Sequence, residues 1–567
     1  MSHLNASVLS SAASAQSLVS LTTTGIARAT LEQPEYSMEY RTYIHNLDND
    51  SLLLIFSLYR LEDEDKWHLR LSWRKLTHIC RRWRYLIFNS SSHLDMYLLL
   101  TNGFPPIDTL SHLPPLPLII DYLVKPTTLP LEDEENIFDG LQRNGHVHRV
   151  ALQAPSSRLR MWLELMNRPY PRLGDLSLLS TTTKGPGLVL PETFQAPFLR
   201  CLSLHGIGLP KGLSPLSSMI TLSTLSLTHI RDCCYFSPGQ LVTQLQGLLS
   251  LEELSIGFAI PIPLPSSEGE LLPAPIPPVT LPSLRRLTFR GVGVYLDNLV
   301  AQINTPLLER LNLSLFFNLV YPLVNLTELI HRTEGIECVI AQVVFNKDSV
   351  SIDTGHSEQR DTGKSSLHVN VNCKSVEWQI DSATQICSAL RMVLSTVEEL
   401  TLDLDVDGMP SDWGNASGLD DMLWHELLLP FIGVKKLRIG SSLTHQLSQA
   451  LKSVTGGLAP DLLPELQDLE VLQLSIDRAK ESFSTVVETW ESMGRPVHLL
   501  ASPIPHAEPQ VPRADPEVQL IDSNASLKYM KYVGRSYRNQ AMTLISLCRA
   551  SLQVQDQTLH SYVELRR

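Results

Sequence analysis

The sequence predicts an α/β chain, a short helical unit followed by an irregular, curved array of repeats that each lay one strand beside the last. Three observations predict it. Between Leu47 and Phe88 apolar residues recur at helical spacing. From Leu173 onward the pattern L-x-x-L-x-L returns nine times, and its first six copies step by 23 to 33 residues. The connectors between copies are Pro/Gly-rich or helical in composition, so strand and connector alternate along the chain.

Residues 1–40 are rich in Ser, Ala and Thr, without the basic start of a secretory signal or the Arg-rich face of a transit peptide, and are expected to be a disordered leader. Residues 41–90 form the helical unit. Leu52, Ile55, Phe56 and Tyr59 make one stripe, and Asp48 or Asn49 can cap its start. After the acidic Glu62–Asp65 loop, Leu69, Trp73, Leu76, Cys80, Trp83 and Ile87 share a face of a second helix, with arginines among them. A unit of about 40 residues lies near the lower limit for independent folding.

The stretch Leu47-Asp48-Asn49-Asp50-Ser51-Leu52-Leu53-Leu54-Ile55-Phe56 resembles the opening of an F-box, and Leu76-Thr77-His78-Ile79-Cys80-Arg81-Arg82-Trp83-Arg84-Tyr85-Leu86 resembles its close. Asp48 stands where that family has Pro and Asp50 where it has Glu; an aspartate there still favours the helix start. The resemblance implies that Leu47, Asp48, Leu52, Ile55, Phe56, Cys80 and Trp83 contact a Skp-type adaptor, and through it a cullin complex.

Beyond this unit, Asp95–Leu100 and Leu118–Leu123 read as buried strands, Glu134–Gln142 as a helix, Val147–Leu152 as a strand and Arg158–Met166 as a helix. The repeats then begin at Leu173/Leu176/Leu178, Leu199/Leu202/Leu204, Leu222/Leu225/Leu227, Leu251/Leu254/Ile256, Leu284/Leu287/Phe289 and Leu308/Leu311/Leu313. Later copies are Val397/Leu400/Leu402, Val434/Leu437/Ile439 and Leu469/Leu472/Leu474. The period is close to that of leucine-rich repeats, which makes residues 91–500 an irregular leucine-rich-repeat solenoid. An insert near 336–380 breaks the period. Ile336–Phe345, Ser349–Ile352, Leu367–Val371 and Val376–Ile380 read as strands, Thr354–Ser366 as a polar connection and Gln385–Leu394 as a helix. Val339, Val343, Val369 and Trp378 are its expected apolar contacts with the neighbouring repeats. The proline run Ile260–Pro282 reads as an extended loop, residues 501–525 as a flexible Pro-rich segment and 526–567 as a helical tail.

The phrases Leu116–Tyr122, Leu423–Phe431, Leu462–Leu466 and Gly494–Leu499 are similar to wording in the divergent F-box/leucine-rich-repeat families of mushroom-forming fungi, a resemblance covering about residues 40 to 500. It implies fold and class, not substrate.

A net charge of −13 argues against binding that rests on nucleic-acid phosphates. No apolar run reaches the roughly 18 residues that span a membrane. The eight cysteines have no zinc spacing, so reduced thiols in the cytosol or nucleus are expected. Asp361–Ser365 echoes the end of a P-loop but lacks its first glycine, His146 and His148 lack further metal ligands nearby, and neither Cys233-Cys234 nor His205 comes with a recognisable catalytic partner. No catalytic residue, metal or cofactor is assigned, although a hydrolase triad assembled from distant residues stays open.

Residues between the leucines of a repeat point outward. Arg286, Thr288, Arg290, Arg310 and Asn312 should share one sheet face with Glu399, Thr401, Asp403, Asp405, Lys436 and Arg438. Of these, Arg286, Arg290, Arg310, Glu399, Asp403 and Arg438 are the candidate contacts for a target protein. The expected function is substrate recognition in an SCF-type ubiquitin ligase, without chemistry of its own; the alternative is a repeat scaffold for protein interaction with no ligase role.

Overall fold

The computed structural model describes residues 47–61, 76–90, 97–100, 116–123, 131–182, 187–210, 215–260, 278–319, 323–333, 336, 338–355, 367–405, 421–454 and 462–502. The expected leader, the acidic loop, most of the proline run, the P-loop echo and the tail from 503 onward lie outside them. The described residues fall into two compact units, divided in the chain between Leu98 and Leu99.

The described residues of the first unit include the helices Asn49–Leu61 and Arg81–Asn89. The Asp48 carboxylate accepts the Ser51 N–H at 2.7 Å and so satisfies one of the donors that a helix start leaves open. The expected second helix does not run unbroken to Ile87: the chain turns at His78–Ile79 and a new helix starts after Cys80, whose Sγ accepts the Trp83 N–H at 3.5 Å. Leu52, Phe56, Trp83, Leu86 and Ile87 are buried, and Phe56 meets Trp83 edge to face at 4.9 Å.

The second unit is built on one sheet of sixteen strands. Its first strands are β1 (Leu98–Leu100), β2 (Leu118–Tyr122), β3 (Val147–Ala154) and β4 (Asp175–Ser180), with the two-residue β5 (Leu188–Val189) outside it. Then come β6 (Cys201–His205), the short β7 (Ile207–Gly208) that pairs with β5, β8 (Thr224–Ile230) and β9 (Glu253–Phe258). After the short β10 (Val279–Thr280) the chain forms β11 (Arg286–Gly291), β12 (Ile303–Asn304), which pairs with β10, and β13 (Arg310–Leu315). The remainder are β14 (Ile340–Phe345), β15 (Ser349–Gly355), β16 (Leu367–Asn372), β17 (Glu399–Leu404), β18 (Lys436–Gly440), β19 (Asp468–Leu472) and β20 (His498–Ser502).

The motif leucines set the register. Leu176, Leu202, Leu225, Leu254, Leu287 and Leu311 are paired strand to strand, as are Leu178, Leu204, Leu227, Ile256, Phe289 and Leu313. All are at most 1% exposed, and each such burial stabilises the fold by roughly 1.5–3 kcal/mol. The starts of β6, β8, β9, β11, β13, β17, β18 and β19 repeat one hydrogen-bond device. The first residue of a motif closes a turn to the carbonyl three residues back, as Leu199 does to Ala196 and Leu222 to Met219. One carbonyl then accepts two successive N–H groups of the next strand: Arg200 O takes Ser223 and Thr224, Glu252 O takes Arg285 and Arg286, and Glu398 O takes Lys435 and Lys436. The connector helices Pro238–Leu245, Gly293–Val300, Val324–His331, Val376–Ala389, Asp421–Leu428, Thr444–Val454 and Ile476–Ser492 pack on one another in chain order.

The expected architecture, an F-box-like helical segment followed by an irregular leucine-rich-repeat solenoid, is corrected by this sheet. A solenoid adds each strand beside its predecessor, all in one direction. Here the neighbour of β13 is β16, and the order continues β15, β14, β17. β15 runs antiparallel to both β14 and β16, while β13–β16 and β14–β17 are parallel. β1, β2 and β20 join the same sheet from outside the nine motif copies. The result is a mixed α/β unit on a large, mostly parallel sheet.

The insert pairs into the sheet on both sides, as its first three strand segments suggest, but its fourth is a helix. Val376–Ala389 is helical because Ile380, Ala383 and Cys387 continue at helical spacing, and the buried Gln379 amide donates to Asn346 O at 2.9 Å and Cys373 O at 2.8 Å. Val343 and Val369 are buried as expected and Val339 is half-buried, whereas Trp378 is 55% exposed. The ninth motif copy is also shifted. Leu437 and Ile439 pair with Leu469 and Val471, so the motif is Leu466/Leu469/Val471 and not Leu469/Leu472/Leu474.

Candidate functional site

Two regions carry the residues singled out from sequence. In the helical unit, Leu52, Phe56 and Trp83 form the core between the helices. Leu47, Ile55 and Cys80 are half-buried and Asp48 is exposed. Arg82 ties the helices together, donating to Leu47 O at 2.6 Å and to Asn49 Oδ1 at 2.9 Å. The hydrogen bond from the Ser51 N–H holds the Asp48 carboxyl below its ordinary pKa. Among the described side chains of these helices, the large apolar ones left outside are Leu54 and Tyr85, 47% and 69% exposed. Sequence reasoning did not choose them, because the F-box resemblance marks helix positions without distinguishing inner from outer residues.

The second region is one face of the sheet. The residues alternating with the buried leucines are mostly half-exposed or exposed from β4 to β18, so no layer among the described residues covers them, while Glu470 on β19 is buried. A largely parallel sheet ordinarily has both faces covered. Register brings Ser177, Ser203, Ser226, Ser255, Thr288 and Asn312 into a single row of small polar side chains. The same row continues through His368, Asp353, Gln342, Thr401, Arg438 and Glu470.

Charge divides this face. On β17–β19 it is internally compensated: Arg438 bridges Glu399 at 2.5 Å and Glu470 at 3.0 Å, and Lys436 reaches Glu470 at 2.9 Å. Burial alone would raise the pKa of Glu470, but hydrogen bonds from Ser502, Lys436 and Arg438 outweigh it and hold the carboxyl at about 2. Asp403 uses its carboxylate on the Leu404 N–H at 2.8 Å. Glu399, Asp403 and Arg438 are thus committed to partners within the fold. On β11–β13 the balance differs. Arg286 pairs with Glu253 and sits directly opposite Arg310, while Arg290 lies 5.6 Å over the Phe316 ring. Desolvation and the neighbouring Arg310 lower the pKa of Arg286.

At the ends of β6 and β8, His205 and His229 stack with ring centroids 4.9 Å apart, and His205 Nδ1 lies 3.0 Å from Thr228 Oγ1. Burial and the adjacent His229 depress the His205 pKa, and burial with Arg231 and Arg290 depresses that of His229. His148 Nδ1 lies 3.1 Å from Arg172 O. Among the described residues no three His, Cys, Asp or Glu side chains converge as a metal would require. Cys233 and Cys234 have Sγ atoms 3.8 Å apart, and burial pushes the Cys201, Cys234 and Cys373 thiols up to about 11, which leaves them poor nucleophiles at neutral pH. A shallow cleft of about 490 Å³ between the helix Ser156–Leu165 and β5 is lined by Arg160, Glu164, Asn167, Val189 and Glu192.

No helix among the described residues is long and apolar enough to cross a membrane. No protein-family model matches the chain, and no curated protein matches it.

Proposed function

We propose that this chain is the substrate-recognition subunit of an SCF-type ubiquitin ligase, working in the cytoplasm or the nucleus. The helices Asn49–Leu61 and Arg81–Asn89 hold a Skp-type adaptor, which links to a cullin, and the open sheet face holds a target protein. The chain performs no chemistry itself. The single observation that carries the recognition half is the polar face, mostly half-exposed or exposed from β4 to β18. The adaptor half is supported by the F-box resemblance of Leu47–Phe56 and Leu76–Leu86, and by the apolar Leu54 and Tyr85 left outside the helix core. Because Leu52, Phe56 and Trp83 are inside, the adaptor contact falls to Leu54, Tyr85 and the accessible parts of Leu47, Asp48, Ile55 and Cys80.

Affinity purification of the tagged full chain followed by mass spectrometry tests this. Adaptor and cullin are expected together, and Leu54→Asp with Tyr85→Ala is expected to lose both while helix content stays constant. Recovery of other proteins without adaptor or cullin would overturn the ligase half and leave an interaction scaffold.

A further inference from the structure

The arginines on β11 and β13 are placed against the usual rule for sheets. Arg286 and Arg310 are direct cross-strand partners on one face, and like charges so placed destabilise a sheet. Glu253 answers Arg286. Among the described residues neither Arg310 nor Arg290 has an ion-pair partner, although Arg290 is exposed and Arg310 half-exposed. Three guanidinium groups therefore share this part of the face with the Glu253 carboxylate, which Arg286 takes, while Glu252 and Glu309, the other acidic groups acting on Arg286, stand just before β9 and β13, with Glu309 held by Arg285, in a chain whose net charge is −13. The compensated cluster on β17–β19 shows that this same sheet can neutralise its arginines. Local conflict that the fold could have removed is expected where a site is used.

Resting on the reading of this face as a partner-binding surface, we infer that β9–β13 takes an extended, carboxylate-bearing segment of a partner protein, lying along the strands with acidic residues at Arg310 and Arg290. Small side chains at Ser226, Ser255 and Thr288 let a backbone approach the sheet, and their hydroxyls with Asn312 supply polar partners for it. Arg290 is opposite Ser314, four residues along β13 from Arg310. At about 3.3 Å per residue the two charges stand at levels roughly 13 Å apart, which matches acidic residues at i and i+4 of an extended segment, whereas a helix would bring such residues within about 6 Å. Arginine suits carboxylates through paired N–H donors. The overall negative charge of the chain disfavours a long polyanion and tolerates a short acidic segment.

The test uses the purified full chain and labelled twelve-residue peptides of Gly, Ser and Thr carrying two Glu at i and i+4, with fluorescence anisotropy as the readout. Expected results are saturable binding, at least tenfold weaker binding of the peptide with Gln in place of Glu, and weakening as NaCl rises from about 50 to 500 mM. The variant Arg290→Glu with Arg310→Glu should lose the Glu peptide and gain the corresponding Lys peptide, with an unchanged melting temperature. Arg391→Glu with Arg478→Glu, an equal charge change at exposed helix positions away from the face, should bind as wild type does. Equal binding of Glu and Gln peptides, undiminished binding by the double variant, no binding at all, or binding only when phosphoserine replaces Glu would each overturn the inference. Adaptor capture is a separate readout, so failure here and failure of the ligase reading are distinguishable.

Discussion

The Arg438 guanidinium spans two strand gaps, ion-paired with Glu399 on β17 at 2.5 Å and donating to Glu470 on β19 at 3.0 Å. With Lys436 and Ser502 it holds the Glu470 carboxylate, so this corner of the open face is a stabilising network.

Glu470 gives that network a pH signature. Its folded pKa, about 2, lies below its ordinary 4.5, so the carboxylate contributes full stability above about pH 4.5 and loses it as pH falls through 2. Glu470→Gln is expected to cost about 2 kcal/mol at pH 7, the scale of a hydrogen-bonded charge. Urea denaturation at pH 7, 4 and 2.5 should show the wild-type advantage shrinking with acid; a constant difference would contradict the assignment.

The two faces of one strand should respond oppositely to truncation. Leu225→Ala removes a side chain buried in the register row and should cost about 2–5 kcal/mol. Ser226→Ala, its half-exposed neighbour, should change stability by no more than about 0.5 kcal/mol. Chemical denaturation of both variants checks the alternation directly.

In the helical unit, Trp83→Ala should destabilise by about 3–5 kcal/mol, because it removes a buried ring packed on Phe56. Leu54→Asp should leave the fold intact, since Leu54 is 47% exposed. Near-ultraviolet circular dichroism separates the outcomes: loss of aromatic signal in the first variant only.

An engineered protease site between Gly355 and Leu367 tests the continuity of the sheet. β14, β15 and β16 are hydrogen-bonded to each other and, at both borders, to β13 and β17. The cut chain is therefore expected to elute as one body on a sizing column and to unfold in one transition. Two folded fragments eluting apart would refute it.

Much of the fold was legible because side-chain period is a local property. The leucine spacing identifies β4, β6, β8, β9, β11 and β13, and valine alternation identifies β14 to β16. Failures have physical causes. The run from Leu466 to Leu474 contains two overlapping L-x-x-L-x-L frames, and only pairing with β18 selects the first. Val376–Ile380 alternates like a strand, yet the buried Gln379 amide anchors a helix there. The helix Val324–His331 is capped from outside its own segment, by the Asp297 carboxylate accepting the Asn325 and Leu326 N–H groups at 2.9 and 3.1 Å. Strand order across the insert depends on crossovers that no local pattern encodes. On the open face, the outward residues follow from alternation, but which charges are neutralised follows from cross-strand register. That is why Arg438 and Arg310, alike in sequence context, meet different surroundings.

The shared carbonyl at the start of the motif strands uncouples alignment from connector length. Arg200, Ser223, Glu252 and Arg285 each fasten the next strand at its first residue and the one before it, whatever the chain does between. β8 and β9 are joined through a short helix, and β9 and β11 through a passage of more than twenty residues, yet both junctions place leucine opposite leucine. Insertions and deletions can therefore accumulate between strands without moving a single buried side chain, so relatives of this chain should differ freely in the lengths of these passages while the outward residues diversify on an unchanged ladder.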